Sequence, residues 1–237
     1  MKDYIIRKVL DDVELKKIKD LINSTPDTEW IEGHKTQNWR KVTQTNFEMD
    51  RNSLKFPEIS KIAMSAMDRD LDFHTFTFAE SSGPIIISKY KKESHFAVHE
   101  DMPTSGNFTT SIFLNDPETY KGGELCLYIN GKEEKIKLDA GYAITYNTGI
   151  LHRVNKVESG ERDAIVFWSK SPMKDPFLYE LYTDITHLQK LVNKLVTENE
   201  IKTEYNNSSF EEAINDPQFA LLNIKNKVQR KITKYGN

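Results

Sequence analysis

Short β-rich runs fill the middle of this chain, while apolar residues at steps of three and four mark helices before and after it. The first segment, DYIIRKVL, reads as a short strand. A helix follows, capped by Asp11 or Asp12, with Leu15, Ile18, Leu21 and Ile22 on one stripe. Residues 33–53, GHKTQNWRKVTQTNFEMDRNS, are polar and lack a clear period, and a further helix is predicted near 56–71. From Gly83 the texture turns to short β-rich runs between turn signals. IIISKY, FTTSIFLN, ELCLYI, KIKL, AGYAITY, ILHRVNKV and RDAIVFWSK, with the stretch around His95, make about eight strands spaced as in a sandwich or barrel. Asn130-Gly131 marks a two-residue hairpin between LCLYI and KIKL.

After Pro176 the helical period returns. Leu178, Leu181, Tyr182, Ile185, Leu188, Leu191, Val192 and Leu195 form one stripe, and a polar stretch then leads to a last helix bearing Leu221, Ile224, Val228 and Ile232. The opposite face of that helix carries Lys225, Lys227, Arg230, Lys231 and Lys234, which reads as a solvated face. The prediction is an α+β, mainly β chain: a domain over 1–175, its β core at about 83–171, and a helical extension over 176–237.

Composition narrows the function classes. The 237 residues suffice for one large domain with a small appendage, and the formal charge of −3 argues against a general polyanion partner. Nucleic acid is therefore left only the basic last helix as a binding place. Cys126 is the single cysteine, so an intramolecular disulfide and a cysteine-built zinc site are both ruled out. The apolar patch in MKDYIIRKVLDD is too short for a signal peptide, and no run is long enough to span a bilayer. A soluble cytoplasmic protein with no membrane partner is expected; the oligomeric state is not legible.

The candidate chemistry starts at HFAVHED, residues 95–101. A helix would pair His95 with His99 as in zinc peptidases, but those need Glu after the first His, where this chain has Phe96. A strand fits the flanking β runs better. It places 95, 97, 99 and 101 on one face and turns Phe96, Val98 and Glu100 away. His95 would then lie about 13 Å from Asp101, which leaves His99 and Asp101 as the pair. His152 in GILHRV supplies a third ligand. Two His and one carboxylate with open positions is the facial arrangement of non-haem Fe(II) oxygenases, whereas a structural zinc takes four protein ligands.

The segment after His152 adds a cation. With Glu158-Ser159-Gly160 as a three-residue hairpin loop, Val154, Arg162, Ala164, Val166 and Trp168 share the face of His152. Arg162 would lie about 13 Å from the metal ligand, and its long side chain leaves room for a small dicarboxylate between iron and guanidinium.

These segments together carry a family resemblance. YKKESHFAVHED, SIFLNDPETYKGGELCLYINGKEEKIKLDAGYAITYNTGILHRVNKVESGERDAIVFW and SKS resemble the prolyl 4-hydroxylase-like branch of the Fe(II)/2-oxoglutarate-dependent dioxygenases. Within it the bacterial PKHD-type hydroxylases are most similar, across about residues 83–171. The resemblance implies a double-stranded β-helix, a distorted jelly roll with N-terminal helices packed on one sheet. It implies that His99, Asp101 and His152 hold the iron and are the catalytic set. Arg162 and Tyr90 would bind 2-oxoglutarate, with Trp168 an aromatic at the floor of the pocket. Phe113 stands where some relatives carry a second tyrosine, which leaves Thr110 or Ser111 as the donor.

Fe(II) would be the cofactor, 2-oxoglutarate and O2 the cosubstrates, and ascorbate an accessory reductant. The implied reaction hydroxylates an unactivated C–H bond, in a prolyl or other residue of a protein or peptide, and releases succinate and CO2. Asp101 fills the position a halide would need, so hydroxylation is favoured over halogenation. Two alternatives remain: the same chemistry on a nucleobase or free small molecule, and a non-catalytic metal-binding β-helix that serves as an interaction module. Residues 34–52, with Trp39, Arg40 and Lys41, are the candidate for a mobile lid.

Overall fold

The computed structural model describes residues 3–36, 44–102, 104–172 and 176–198, together with 221, 224 and 225. Two compact units are present, one ending at Ser171 and one beginning at Pro172. The first opens with β1 (Tyr4–Lys8) and α1 (Asp12–Asn23), then β2 (Trp30–Glu32), the single turn α2 (Gly33–Thr36) and β3 (Phe47–Met49). Helices α3 (Phe56–Asp68) and α4 (Leu71–Thr77) follow, then β4 (Ser81–Tyr90), β5 (Phe96–His99), β6 (Phe108–Phe113) and β7 (Lys121–Gly122). The chain continues through β8 (Leu125–Ile129), β9 (Lys132–Ile136), β10 (Tyr142–Asn147), β11 (His152–Val154), β12 (Val157–Ser159) and β13 (Arg162–Lys170).

The helices start where their caps dictate. Asp11 accepts from the Glu14 amide while Glu14 reaches back to the Asp11 amide, a reciprocal capping box that fixes the first turn of α1. Asp70 caps α4 through the amides of Asp72 and Phe73. The sequence pattern predicts one helix near 56–71; the structure has two, because the Asp70 cap restarts the chain in a new direction.

All strand pairings are antiparallel. A seven-stranded sheet has the order β1-β10-β6-β13-β4-β3-β2, a four-stranded sheet the order β5-β11-β8-β9, and β12 pairs with β7. Alternation along the large sheet gives it two apolar faces. Ile87, Ile112, Ala143, Ile165 and Phe167 point to the helices, where Ile18, Ile22, Ile59, Ala63, Met67 and Phe73 cover them. Tyr90, Phe113, Ile144 and Tyr146 point inward to meet Leu125, Leu127, Ile129 and Val154 of the small sheet. This is the expected jelly roll with helices on one sheet. The Asn130-Gly131 hairpin forms as predicted, both residues having positive φ and Ile129 facing Lys132.

One predicted hairpin does not form. β11 belongs to the small sheet and β13 to the large one, and the β12 segment between them pairs with β7 instead. His152 and Arg162 therefore face one another from opposite sheets and do not share a hairpin face. Gly160 does take the left-handed backbone assigned to it, at φ +76°, but for another reason. A Cβ there would stand 2.4 Å from the Thr119 carbonyl oxygen, so only glycine lets the chain cross so close.

Within 34–52, the second half is ordinary sheet: β3 pairs with β2 and β4, and Thr45 bonds His95. Trp39, Arg40 and Lys41 lie outside the described residues. In the second unit, α5 (Pro176–Glu198) buries Tyr182 and Ile185 and exposes Leu181, Leu188, Leu191 and Leu195. Residues 221, 224 and 225 are helical, and the Lys225 ammonium lies 5.2 Å from the Tyr182 ring centroid. Lys227, Arg230, Lys231 and Lys234 lie outside the described residues. Among the described residues no helix is long and apolar enough to cross a membrane.

Candidate metal centre and its pocket

Strand pairing brings the three candidate ligands together. His152 on β11 sits directly opposite His99 on β5, and their imidazole centroids are 4.2 Å apart. Asp101 follows the end of β5. One ligand atom from each of His99, Asp101 and His152 lies within 4.8 Å of the others. His95 is not of the group; its ring nitrogen faces the Thr45 hydroxyl at 3.2 Å. Glu100 is exposed, as the alternation predicts.

Phe96 departs from that alternation. Between the His152–His99 and Val154–Phe96 pairs, β5 carries one more residue than β11, a bulge. The extra residue swings Phe96 onto the ligand face, where it stacks on His99 with centroids 3.9 Å apart. Phe96 is thus a wall of the site, not an outward residue.

Both imidazoles are held in one tautomer by the backbone. His99 Nδ1 lies 2.8 Å from the Ala97 carbonyl oxygen, and His152 Nδ1 lies 2.8 Å from that of Ile150. A carbonyl only accepts, so each Nδ1 carries the proton and each Nε2 presents a lone pair. Those Nε2 atoms stand 3.7 Å from Asp101 Oδ1 and Oδ2, too long for hydrogen bonds. Two ligands each about 2.1 Å from a common ion stand roughly 3 to 4 Å apart. Among the described residues there is no fourth ligand in the group. Two neutral imidazoles and one carboxylate on one side, with the other side open, fit Fe(II) and the small molecules it activates.

Thr109 is a part of this centre that the spacing of histidines and carboxylates did not reveal. Its hydroxyl donates to Asp101 Oδ2 at 2.8 Å and lies 3.3 Å from Thr148 Oγ1. In register Thr109 lies opposite Tyr146 on one side and Trp168 on the other. Tyr146, also unrecognised in the sequence, sets its ring edge-on to His152 at 5.4 Å. The available signal was parity: 109 and 146 share the inward faces of their strands with 111, 113 and 144.

A slender arm of about 60 Å³ runs inward from the triad to Arg162. Arg162 is only 2% exposed. Cross-strand pairing sets Tyr90 beside it, and the guanidinium carbon lies 5.1 Å from the Tyr90 ring centroid and 5.0 Å from that of Phe113. Burial pushes the Tyr90 hydroxyl up to about 12 against the pull of Arg162, so it stays a proton donor at neutral pH. Burial likewise raises Tyr146 far above its ordinary range. Arg162 has no carboxylate within 4.0 Å among the described residues, and its Nε lacks a partner. A buried cation left so is costly until an anion arrives.

Of the two hydroxyls considered in place of a second tyrosine, Ser111 lines this arm. Thr110 points to the helix side, where its hydroxyl meets that of Thr145 at 2.9 Å. Trp168 is not beside Arg162. Six residues along β13, about 20 Å, it stands where the inner arm meets an outer chamber of about 520 Å³, and its indole nitrogen has no partner among the described residues. That chamber also borders His99, Asp101 and Met102.

Fold and site together define a 2-oxoglutarate-dependent dioxygenase, an enzyme that uses Fe(II), 2-oxoglutarate and O2. The profile of the 2OG-Fe(II) oxygenase superfamily matches residues 85–170. A PKHD-type hydroxylase of Rippkaea orientalis is 30% identical over 190 residues, 75% of this chain and 84% of that protein. One of Thermosynechococcus vestitus is 29% identical over 195 residues, 78% and 85% of the two chains. The chain belongs to the PKHD-type hydroxylase family. Among solved structures the fold is similar to a Pseudomonas putida prolyl-4-hydroxylase, with TM-score 0.53, 15% identity, and 71% and 92% of the chains covered. It is also similar to a Trichoplax adhaerens prolyl hydroxylase in complex with a hypoxia inducible factor peptide fragment. That likeness has TM-score 0.57 and 14% identity, over 71% and 84% of the chains.

Proposed function

We propose that this enzyme hydroxylates a C–H bond in a prolyl or other residue of a peptide or protein, converting 2-oxoglutarate to succinate and CO2 in the same cycle. His99, Asp101 and His152 hold the iron. Arg162, with Tyr90 beside it, takes the far carboxylate of 2-oxoglutarate at the end of the narrow arm. The observation that carries this reading is Arg162 itself, a buried guanidinium with no carboxylate partner among the described residues, joined to the triad by a channel too narrow for anything but a small ligand.

Fe(II), when bound, supplies the oxygen chemistry that decarboxylates the cosubstrate and delivers one oxygen atom to the substrate. The protein's work is positioning and exclusion. The Ala97 and Ile150 carbonyls keep both Nε2 lone pairs aimed at the ion, and Thr109 keeps the Asp101 carboxylate turned towards it. Phe96, Val154 and Val166 give the inner arm an apolar wall, which strengthens the pairing of Arg162 with an anion. The outer chamber is wide enough for a residue of a peptide, and the Trichoplax relative with its bound peptide supports that class of substrate.

The test is capture from lysate by a His152→Ala variant, followed by incubation of the captured material with wild-type enzyme, Fe(II) and 2-oxoglutarate. A captured protein or peptide that gains the mass of one oxygen atom is the expected result. Oxygen added instead to a nucleobase or a free metabolite would overturn the peptide reading.

A further inference from the structure

The outer chamber holds a carboxyl group that the reaction itself does not need. Glu48 is on β3, the strand next to β4, and its side chain borders both the inner arm and the outer chamber. It is only 7% exposed. One oxygen accepts from the Thr36 hydroxyl at 2.8 Å. Among the described residues no Lys, Arg or His nitrogen lies within 4.0 Å of it. Thr36, Asn46 and the more distant charge of Arg51 offset its burial only in part, and a buried carboxylate with no cation in direct contact stays costly.

Charge around the cavity points the same way. Asp101 is matched by the metal, and Arg162 by the carboxylate it awaits. Among the described residues, the remaining ionisable groups bordering the outer chamber, apart from the ligand His99, are Glu48, Asp50 and Arg51. Within that described set one negative charge is in excess, and the most enclosed of the three is Glu48. Burial raises the Glu48 carboxyl above its ordinary range, which is the cost a cation at this point would relieve.

We propose that Glu48 is a specificity-determining residue that selects peptide substrates presenting a cationic nitrogen, the ammonium of a lysyl or the guanidinium of an arginyl residue, at the chamber between triad and mouth. The proposal rests on the peptide reading above. The cation belongs either to the residue that is hydroxylated or to its neighbour in the peptide. Trp168, whose indole N–H has no partner among the described residues, stands at the same junction and offers a donor to a backbone carbonyl of such a peptide.

The experiment uses the full chain loaded with Fe(II) and 2-oxoglutarate without oxygen, and four capped peptides: acetyl-Ala-Lys-Pro-Ala-amide, its Gln and Glu counterparts at the second position, and acetyl-Ala-Lys-Ala-Ala-amide. Binding is measured by calorimetry, and succinate and peptide mass after oxygen is admitted. The lysyl peptides should bind about tenfold more tightly than the Gln or Glu ones. Glu48→Gln should erase that preference and Glu48→Lys reverse it towards the glutamyl peptide. Thermal unfolding of each variant reports whether it is folded, and the wild-type preference with its loss at high salt stands as a test without them. Oxygen on the lysyl peptide lacking proline assigns the cation to the reacting residue, and oxygen only on the Lys-Pro peptide assigns it to the neighbour. Wild-type binding no tighter for lysyl than for glutamyl peptides overturns the proposal, as does a preference that Glu48→Lys leaves in place. A lysyl preference that depends on Glu48 supports the proposal whether or not these short peptides are oxidised, and the hydroxylation reading stands or falls on the capture experiment above.

Discussion

Thr109 Oγ1 donates a 2.8 Å hydrogen bond to Asp101 Oδ2, from a strand of the large sheet to the loop that follows β5. The bond ties the carboxylate ligand to the rigid sheet. Thr109→Val keeps the branched shape and loses the donor, and Fe(II) affinity should fall by about 10- to 100-fold. Thr109→Ser should retain most of it. Anaerobic Fe(II) titration reads the difference; equal affinity in wild type and Thr109→Val would show that the threonine only fills space.

Arg162 should behave as a binding group and not as a stabilising one. A buried ion with no opposite charge in contact is often replaced by an apolar residue of similar volume at no loss of stability. Arg162→Met should therefore leave the melting temperature unchanged or raised while 2-oxoglutarate binding falls by a factor of about 100 or more. A large drop in melting temperature with cosubstrate affinity intact would assign Arg162 to the scaffold.

Asp163 gives the protein a pH signature. It faces Lys89 across β13 and β4, accepts no hydrogen bond at Oδ1, and burial pushes its carboxyl up to about 6. The folded chain thus holds this proton more tightly than the unfolded one. Its contribution is fully present at low pH and is lost as pH rises from about 4 through 6. A shift of about two units corresponds to about 3 kcal/mol. Asp163→Asn should flatten that part of the stability curve and raise stability at pH 7, with denaturant unfolding at pH 4, 5.5 and 7 as the measurement. Identical pH profiles for the two proteins would rule the account out.

Gly160 is held by its surroundings. With φ at +76° and the Thr119 carbonyl 2.4 Å from any added Cβ, Gly160→Ala should cost more than the ~1 kcal/mol of a left-handed alanine. Unfolding in urea checks this, and an unchanged midpoint would mean that the crossing loop moves aside.

Much of this was readable in the chain and some was not, for reasons that particular residues make plain. His99, Asp101, His152 and Arg162 stood out because two histidines, a carboxylate and a later cation follow one another in strand-like runs at the spacing of the family, and the jelly roll brings all four to one cavity. Phe96 was misplaced because a bulge is one extra residue with no composition of its own. The supposed hairpin from His152 to Arg162 failed because loop length was read from Gly160 alone. The partner that draws the chain across, β7 at Lys121–Gly122, is some forty residues away. Thr109, Tyr146 and Glu48 went unremarked because a hydroxyl or carboxyl on an inward face has no motif. Their meaning comes from neighbours on other strands, which local pattern cannot supply.

The central claim is that three side chains on one side of a ferrous ion, with Arg162 at the far end of the arm, turn over 2-oxoglutarate. Incubation of Fe(II)-loaded protein with 2-oxoglutarate under isotopically labelled oxygen, with succinate analysed by mass, tests it most directly. Wild type should form succinate carrying one labelled oxygen, even slowly without substrate, and His99→Ala, His152→Ala and Arg162→Met should form little or none. Iron-loaded wild type that forms no labelled succinate, with or without captured substrate, would contradict it.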